Sequence, residues 1–245
     1  VERLLSALRT PSELVQEAVA SCLPALVRAS AAAKDVPSIV DRLFVDLLHG
    51  DKYATRRGAA YGLAGVVKGR GVSAIRELRI LARLSEAAHD TSTTTTRQGA
   101  LFAYELLAST LHVLLEPYVD GILADLLLCF GDTHADVREA TQDAARVLMR
   151  SLSGQCLKLI LPSLLDGLDE KQWRTKKGAV ELLGAMAFCA PRQLSAALPT
   201  IIPRLSEVLT DSHRQVSAAA NQSLKQFGEV IHNPEIHALV PSILK

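Results

Sequence analysis

Apolar and polar positions along the chain return in register at intervals of 38 to 41 residues. A small residue marks the register at Ala18, Gly58, Gly99, Ala140, Gly178 and Ala219. Three positions earlier stands a β-branched residue each time: Val15, Thr55, Thr96, Val137, Thr175 and Val216. Eight positions later stands an apolar one: Leu26, Val66, Leu107, Leu148, Met186 and Phe227. Ten positions before the mark the residue is apolar except at His89. Within each interval the apolar residues follow helical spacing on both sides of a polar turn, so each interval encodes two helices. A period near forty with two helices per unit is the signature of a HEAT or armadillo array. The short turn favours HEAT, because armadillo units carry a third helix.

The expectation is an all-α HEAT-repeat solenoid of about six stacked helix pairs, wound as a right-handed superhelix and cut from a longer array. The units fall at approximately 1–30, 37–70, 74–114, 117–153, 155–191 and 197–232, with a seventh starting over 235–245. Turns are expected near 10–12, 50–54, 90–96, 131–135, 169–174 and 210–215. Pro24, Pro162 and Pro203 sit inside first or second helices, where the ring removes one backbone bond and bends the helix. Lys68-Gly69-Arg70-Gly71 reads as an exposed connector, because its glycines interrupt the pattern. A single helix is expected over 74–89. Asp90 to Thr96 reads as a mobile hydroxyl-rich turn that offers caps to the next helix and could accept phosphate, although nothing in the sequence requires that.

Composition narrows the function. Lys and Arg number 27 against 26 Asp and Glu, a net charge of +1. No global field therefore draws the chain to nucleic acid or membrane, and charge can act only through local patches. The four cysteines, Cys22, Cys129, Cys156 and Cys189, are widely separated and read as buried thiols of a reducing compartment. No apolar run is long enough to cross a bilayer. No phosphate-binding loop, metal-ligand cluster or ordered nucleophile, base and acid set is visible, so neither catalysis nor a cofactor is expected. His134 and His213 each follow an aspartate by two residues, and read as solvated neighbours of a helix-capping carboxylate. The acidic turns followed by Arg57, Arg97 and Arg138, and by Lys176, read as a ladder of ion pairs tying one unit to the next.

Two features carry candidate binding chemistry. Lys68, Arg70, Arg76, Arg79 and Arg83 face a single acid, Glu77, and the last three are spaced to lie opposite Ile75, Leu78, Leu81 and Leu84. This is a basic face suited to phosphates, as in ribosomal RNA, or else merely a solvated one. Aromatics make up 4% of the chain and none interleaves with the patch, which argues against stacking on single-stranded bases. The second feature is the turn edge. Lys52, Tyr53 and Arg56 in one turn, and Lys171, Trp173, Arg174 and Lys177 in another, place aromatic and basic residues where interfaces are anchored. The plainer reading is that each ring packs on the neighbouring turn.

The stretches from Asp51 through Tyr53 and Arg57 to Gly69, Glu116-Pro117-Tyr118-Val119, Leu126 to Asp132 and Trp173 to Ala187 resemble the general-control translational activator family. The resemblance spans about residues 12–245 and is to the family's central part, itself similar to the HEAT domain of fungal elongation factor three. It implies a non-catalytic cytoplasmic scaffold that binds translating or stalled ribosomes and works with an ATP-binding-cassette partner. It further implies help in activating the kinase of initiation factor 2 alpha during amino-acid starvation, through a region outside this chain. No membrane and no small-molecule substrate is implied. The alternative is a HEAT adaptor of a transport or phosphatase scaffold without ribosome binding.

Overall fold

The computed structural model describes residues 2–29 and 35–230; the linker at 30–34 and the expected seventh unit at 235–245 lie outside the described residues. Every regular element among the described residues is helical. The chain forms two compact units that divide between Leu148 and Met149.

The first unit contains α1 (Glu2–Leu8), α2 (Glu13–Arg28), α3 (Val36–His49), α4 (Tyr53–Arg70), α5 (Ser73–Glu77), α6 (Ile80–Ala88) and α7 (Thr94–Leu111). A 3-10 helix (His112–Tyr118), α8 (Val119–Phe130) and most of α9 (Ala135–Ser151) complete it. Helix α4 lies between α2 and α7 and also packs on α3. It is buried on several sides, and its residues 58–60 and 62–67 are nearly all small. The size of these residues is dictated by backbone. A Cβ at Gly58 would come within 1.8 Å of the Leu8 carbonyl oxygen, and one at Gly99 within 2.1 Å of the Leu47 carbonyl oxygen. The small residue that marks the repeat is thus the point where a second helix presses on the end of the preceding unit's first helix.

Three expectations need correction in this unit. Lys68 to Arg70 is no connector but the last turn of α4, with Gly69 buried against the Pro24 backbone. Gly71, at φ +96°, is the residue that ends the helix, in a conformation glycine adopts without a steric penalty. The single helix over 74–89 is broken at Arg79, which takes a left-handed φ of 50°. Ile75 and Ile80 are both fully buried. On a continuous helix they would stand about 140° apart, and the left-handed residue brings both inward. The expected 90–96 turn is shorter, because α7 begins at Thr94, and what remains of it is tied by hydrogen bonds. Asp90 accepts from the Ser92 N–H and hydroxyl, and Arg97 donates to the carbonyls of Asp90 and Thr93.

The second unit contains α10 (Gly154–Asp166), a 3-10 turn (Gly167–Asp169), α11 (Trp173–Cys189), α12 (Pro191–Leu209) and α13 (Arg214–Val230). Helix α11 packs chiefly on α13, while α10 packs on both α11 and α12. Helix α12 starts six residues earlier than the pattern suggested, with Pro191 in its first turn, and runs on through Pro199 and Pro203. Proline at a helix start leaves no intrahelical donor unused. Cys156 is buried and Cys189 half-buried, whereas Cys22 of the first unit is exposed, against expectation, and Cys129 is buried. Burial, aided by Asp125 and Asp132, pushes the Cys129 thiol up to about 12.

Candidate functional site

The position two before each repeat mark holds Gln16, Arg56, Arg97, Arg138, Lys176 and Ser217. In the first unit this position collects backbone carbonyls. Gln16 donates to the carbonyls of Leu8, Thr10 and Ala54, and so joins one turn to the next helix pair. Arg56 donates to Gly50 and Asp51 carbonyls and to the Gln98 side chain. Arg97 donates to its own turn and, through Nε at 2.7 Å, to Asp132 in the next turn. Arg138 donates to the carbonyls of Asp132 and Thr133. Lys176 in the second unit reaches Asp211 at 2.8 Å.

Of the expected ion-pair ladder, the structure shows Arg97–Asp132 and Lys176–Asp211, while Arg138 closes its own turn through carbonyls. In the second repeat the rung is Arg56. Arg57 instead bonds Glu105 on α7 with both terminal nitrogens and lies 3.6 Å from Glu13. Burial opposes the charge on Arg57, but the Glu105 carboxylate outweighs it and raises the guanidinium's pKa. At Asp132 burial is likewise outweighed, here by the His134 N–H and by Arg97, so the carboxyl is held below its ordinary range. The Lys176 ammonium and the His213 N–H do the same for Asp211.

The basic face is divided by the break at Arg79. Lys68, Arg70, Arg76 and Arg79 are exposed. Arg79 lies 3.5 Å from Glu86, with both side chains largely in solvent. Arg83 is of another kind. Its guanidinium lies 3.7 Å over the Phe44 ring and bonds Asp41 at 2.8 Å, so it ties α6 to α3. Lys68, Arg70 and Arg76 make no ion pair among the described residues.

The turn edge is also sorted by the structure. Arg56 is 6% exposed, with Nη1 on the carbonyls of its own turn, Nη2 on Gln98 and a buried Nε that has no partner among the described residues, so it is removed from the accessible residues. Tyr53 packs edge-on against Phe102 at 5.1 Å but stays 58% exposed, beside exposed Lys52. Trp173 stacks on His213 at 3.8 Å and 11°, with the Arg174 guanidinium 4.7 Å from the indole ring. His213 is therefore covered by the indole, where the sequence suggested a solvated ring. Lys171 is exposed, and Lys177 pairs with Glu181 at 2.6 Å. Both rings pack on the neighbouring repeat while leaving basic neighbours outward. One feature escaped sequence reasoning, the buried Asp125 between Tyr104 and Ser85. Its only sequence signal is an acid inside the otherwise apolar run of α8. No group of three or more potential metal ligands occurs among the described residues.

The family described as EF3 N-terminal HEAT repeat matches residues 56–224, which carry the mark residues and rungs from the second repeat to the sixth. The chain belongs to that family. It is 54% identical over 244 residues to the stalled ribosome sensor GCN1 of Homo sapiens, covering 100% of this chain and 9% of that protein. It is 44% identical over 246 residues to the eIF-2-alpha kinase activator GCN1 of Saccharomyces cerevisiae, again 100% of this chain and 9% of that protein. The chain thus spans about a tenth of the curated relatives it matches. Among solved structures, the MAST/Orbit N-terminal domain aligns with a TM-score of 0.57 at 18% identity, over 82% of this chain and 92% of that one. That likeness is one of fold.

Proposed function

We propose that this chain is a non-catalytic scaffold segment that binds ribosomes from the cytoplasm. In a longer protein it would serve activation of the initiation factor 2 alpha kinase when amino acids run short or ribosomes stall. The reading rests on one observation: 54% identity along the whole chain to a protein named as a stalled ribosome sensor. An ATP-binding-cassette protein as second partner follows from the family resemblance, and the kinase would be met through regions outside this chain. Each of the six expected units corresponds in this reading to one repeat, the third with its first helix divided into α5 and α6.

The contact is assigned to Lys68, Arg70, Arg76 and Arg79 for ribosomal RNA, with Arg83 as the strut beneath them. Lys52, Tyr53, Lys171, Trp173, Arg174 and Lys177 are assigned to protein on the turn edges. Phosphate contacts draw their affinity largely from released counterions. Changing Lys68, Arg70 and Arg76 together to Gln leaves the packing intact, since all three are exposed and without ion pairs among the described residues. Co-sedimentation with ribosomes should then weaken, and its logarithmic salt dependence should flatten by roughly one unit per lost phosphate contact. Pelleting equal to the parent at every salt concentration would sink the assignment.

A further inference from the structure

In the first unit a cleft of ≈ 280 Å³ opens between α6, α7, the 3-10 helix and α8. Asp125 lines it and is 3% exposed. One carboxylate oxygen accepts the Ser85 hydroxyl at 3.0 Å, and the other accepts the Tyr104 hydroxyl. Among the described residues no Lys or Arg lies within 4.0 Å of this carboxylate. Among the described residues its one basic neighbour is His89, whose Nδ1 is 3.5 Å away. That nitrogen is closer, at 2.9 Å, to the Ser85 carbonyl, which can only accept, so its hydrogen is directed there. The His89 ring is also largely in solvent.

Buried charges are ordinarily paired, because removal from water is costly without a counter-charge. Here the counter-charge is missing and the space for one is present. Each carboxylate oxygen has room for about one more hydrogen bond beyond the one it accepts. The remaining walls include Tyr118, Leu81 and Ile122, rings and hydrocarbon against which a planar cation rests well. We propose that this cleft is a socket for an arginine side chain presented by a partner protein. The guanidinium would place its donors on Asp125 and lie against the tyrosine rings. A phosphate would be repelled by the same carboxylate, so the socket selects protein over RNA. It is independent of the ribosome-binding assignment, whose basic residues lie elsewhere.

The test uses N-acetyl-arginine methylamide as probe, titrated into the isotope-labelled chain while the amide signals of Ser85 and Gly121 are followed. The uncharged citrulline analogue is the control. The arginine probe should shift both signals saturably, and the citrulline probe should bind at least roughly tenfold more weakly. Asp125→Asn should lose the arginine preference by a similar factor. Gly121→Phe is the second variant, since Gly121 lines the cleft and a Cβ there meets no atom within 4 Å, so that a ring can be added at its wall. It keeps the proposal testable if Asp125→Asn does not fold. Equal response to the two probes overturns the proposal, as does no saturable shift, or parent-like binding by Gly121→Phe. A short single-stranded RNA that displaces the arginine probe from the Gly121 signal would also overturn it.

Discussion

The two units solve the same stacking problem with different chemistry. In the first, a Cβ at the mark glycines Gly58 and Gly99, and at Gly65, would meet a carbonyl oxygen first, whereas one at Gly62 would meet the Leu43 and Leu8 side chains. In the second, a Cβ at Gly184 would meet the side chains of Gln226 and Ser223. The rungs differ in parallel. Arg97 spreads its donors over two carbonyls of its own turn and a carboxylate of the next. Lys176, a point charge, makes the bridge to Asp211, and the Trp173–His213 stack supplies a second tie between the same turns. A guanidinium can close a turn and cross to the next at once, whereas an ammonium needs a helper.

Removing the rung should separate the units most. Arg97→Ala leaves Asp132, whose side chain is 9% exposed, without its counter-charge. A loss of about 3 kcal/mol or more is expected in denaturant unfolding. Lys176→Ala strips a more exposed pair, with side chains 22% and 15% exposed, and should cost about 1 kcal/mol. Equal losses would erase the distinction.

The glycines come next. Gly58→Ala forces a Cβ onto the Leu8 carbonyl oxygen and should cost about 1–3 kcal/mol, with Gly58→Leu at or beyond the top of that range. Gly184→Ala displaces the Gln226 end, which can rotate away, and the buried Ser223 hydroxyl that bonds the Val180 carbonyl, and should cost about 1 kcal/mol, at the low end of the Gly58→Ala range. Thermal melts that reverse this order would show that backbone contact is not what sets the close approach.

Smaller effects sharpen the second unit. Trp173 is the chain's one tryptophan, so its emission reports the stack directly. His213→Ala should shift that emission to the red as the indole gains water, with a stability loss of about 0.5–1.5 kcal/mol. Unchanged emission would mean the two rings do not stack in solution.

Acid should act on both units in the same direction. Asp90, Asp132 and Asp211 all have carboxyl pKa values lowered in the folded chain. Their stabilising contribution is therefore complete above the unfolded aspartate value of about 3.9, and is lost as pH falls through the lower folded values. Arg97→Ala should flatten the part of this acid sensitivity that comes from Asp132. An acid profile identical to the parent's would show that the pair is not what lowers that carboxyl.

Much of this was legible in order of residues. The period near forty, the small mark residues and the β-branched positions before them were sufficient for a helix-pair array, because each constraint is local or repeats. The rungs were legible as a class, since an acid and a base recur at fixed offsets. Tertiary structure alone decided the rest. Arg56 and Arg57 are adjacent bases, and only packing assigns one to the turn beneath and the other to Glu105 on α7. Arg83 reads as one more member of a basic stripe until Phe44 and Asp41, about forty residues earlier, are placed beneath it. The break at Arg79 answers the need to bury both Ile75 and Ile80, a demand set by neighbouring helices. Asp125 comes to line a cleft only when α6, α7, the 3-10 helix and α8 close round it, because its burial without a Lys or Arg beside it among the described residues is a property of the folded surroundings.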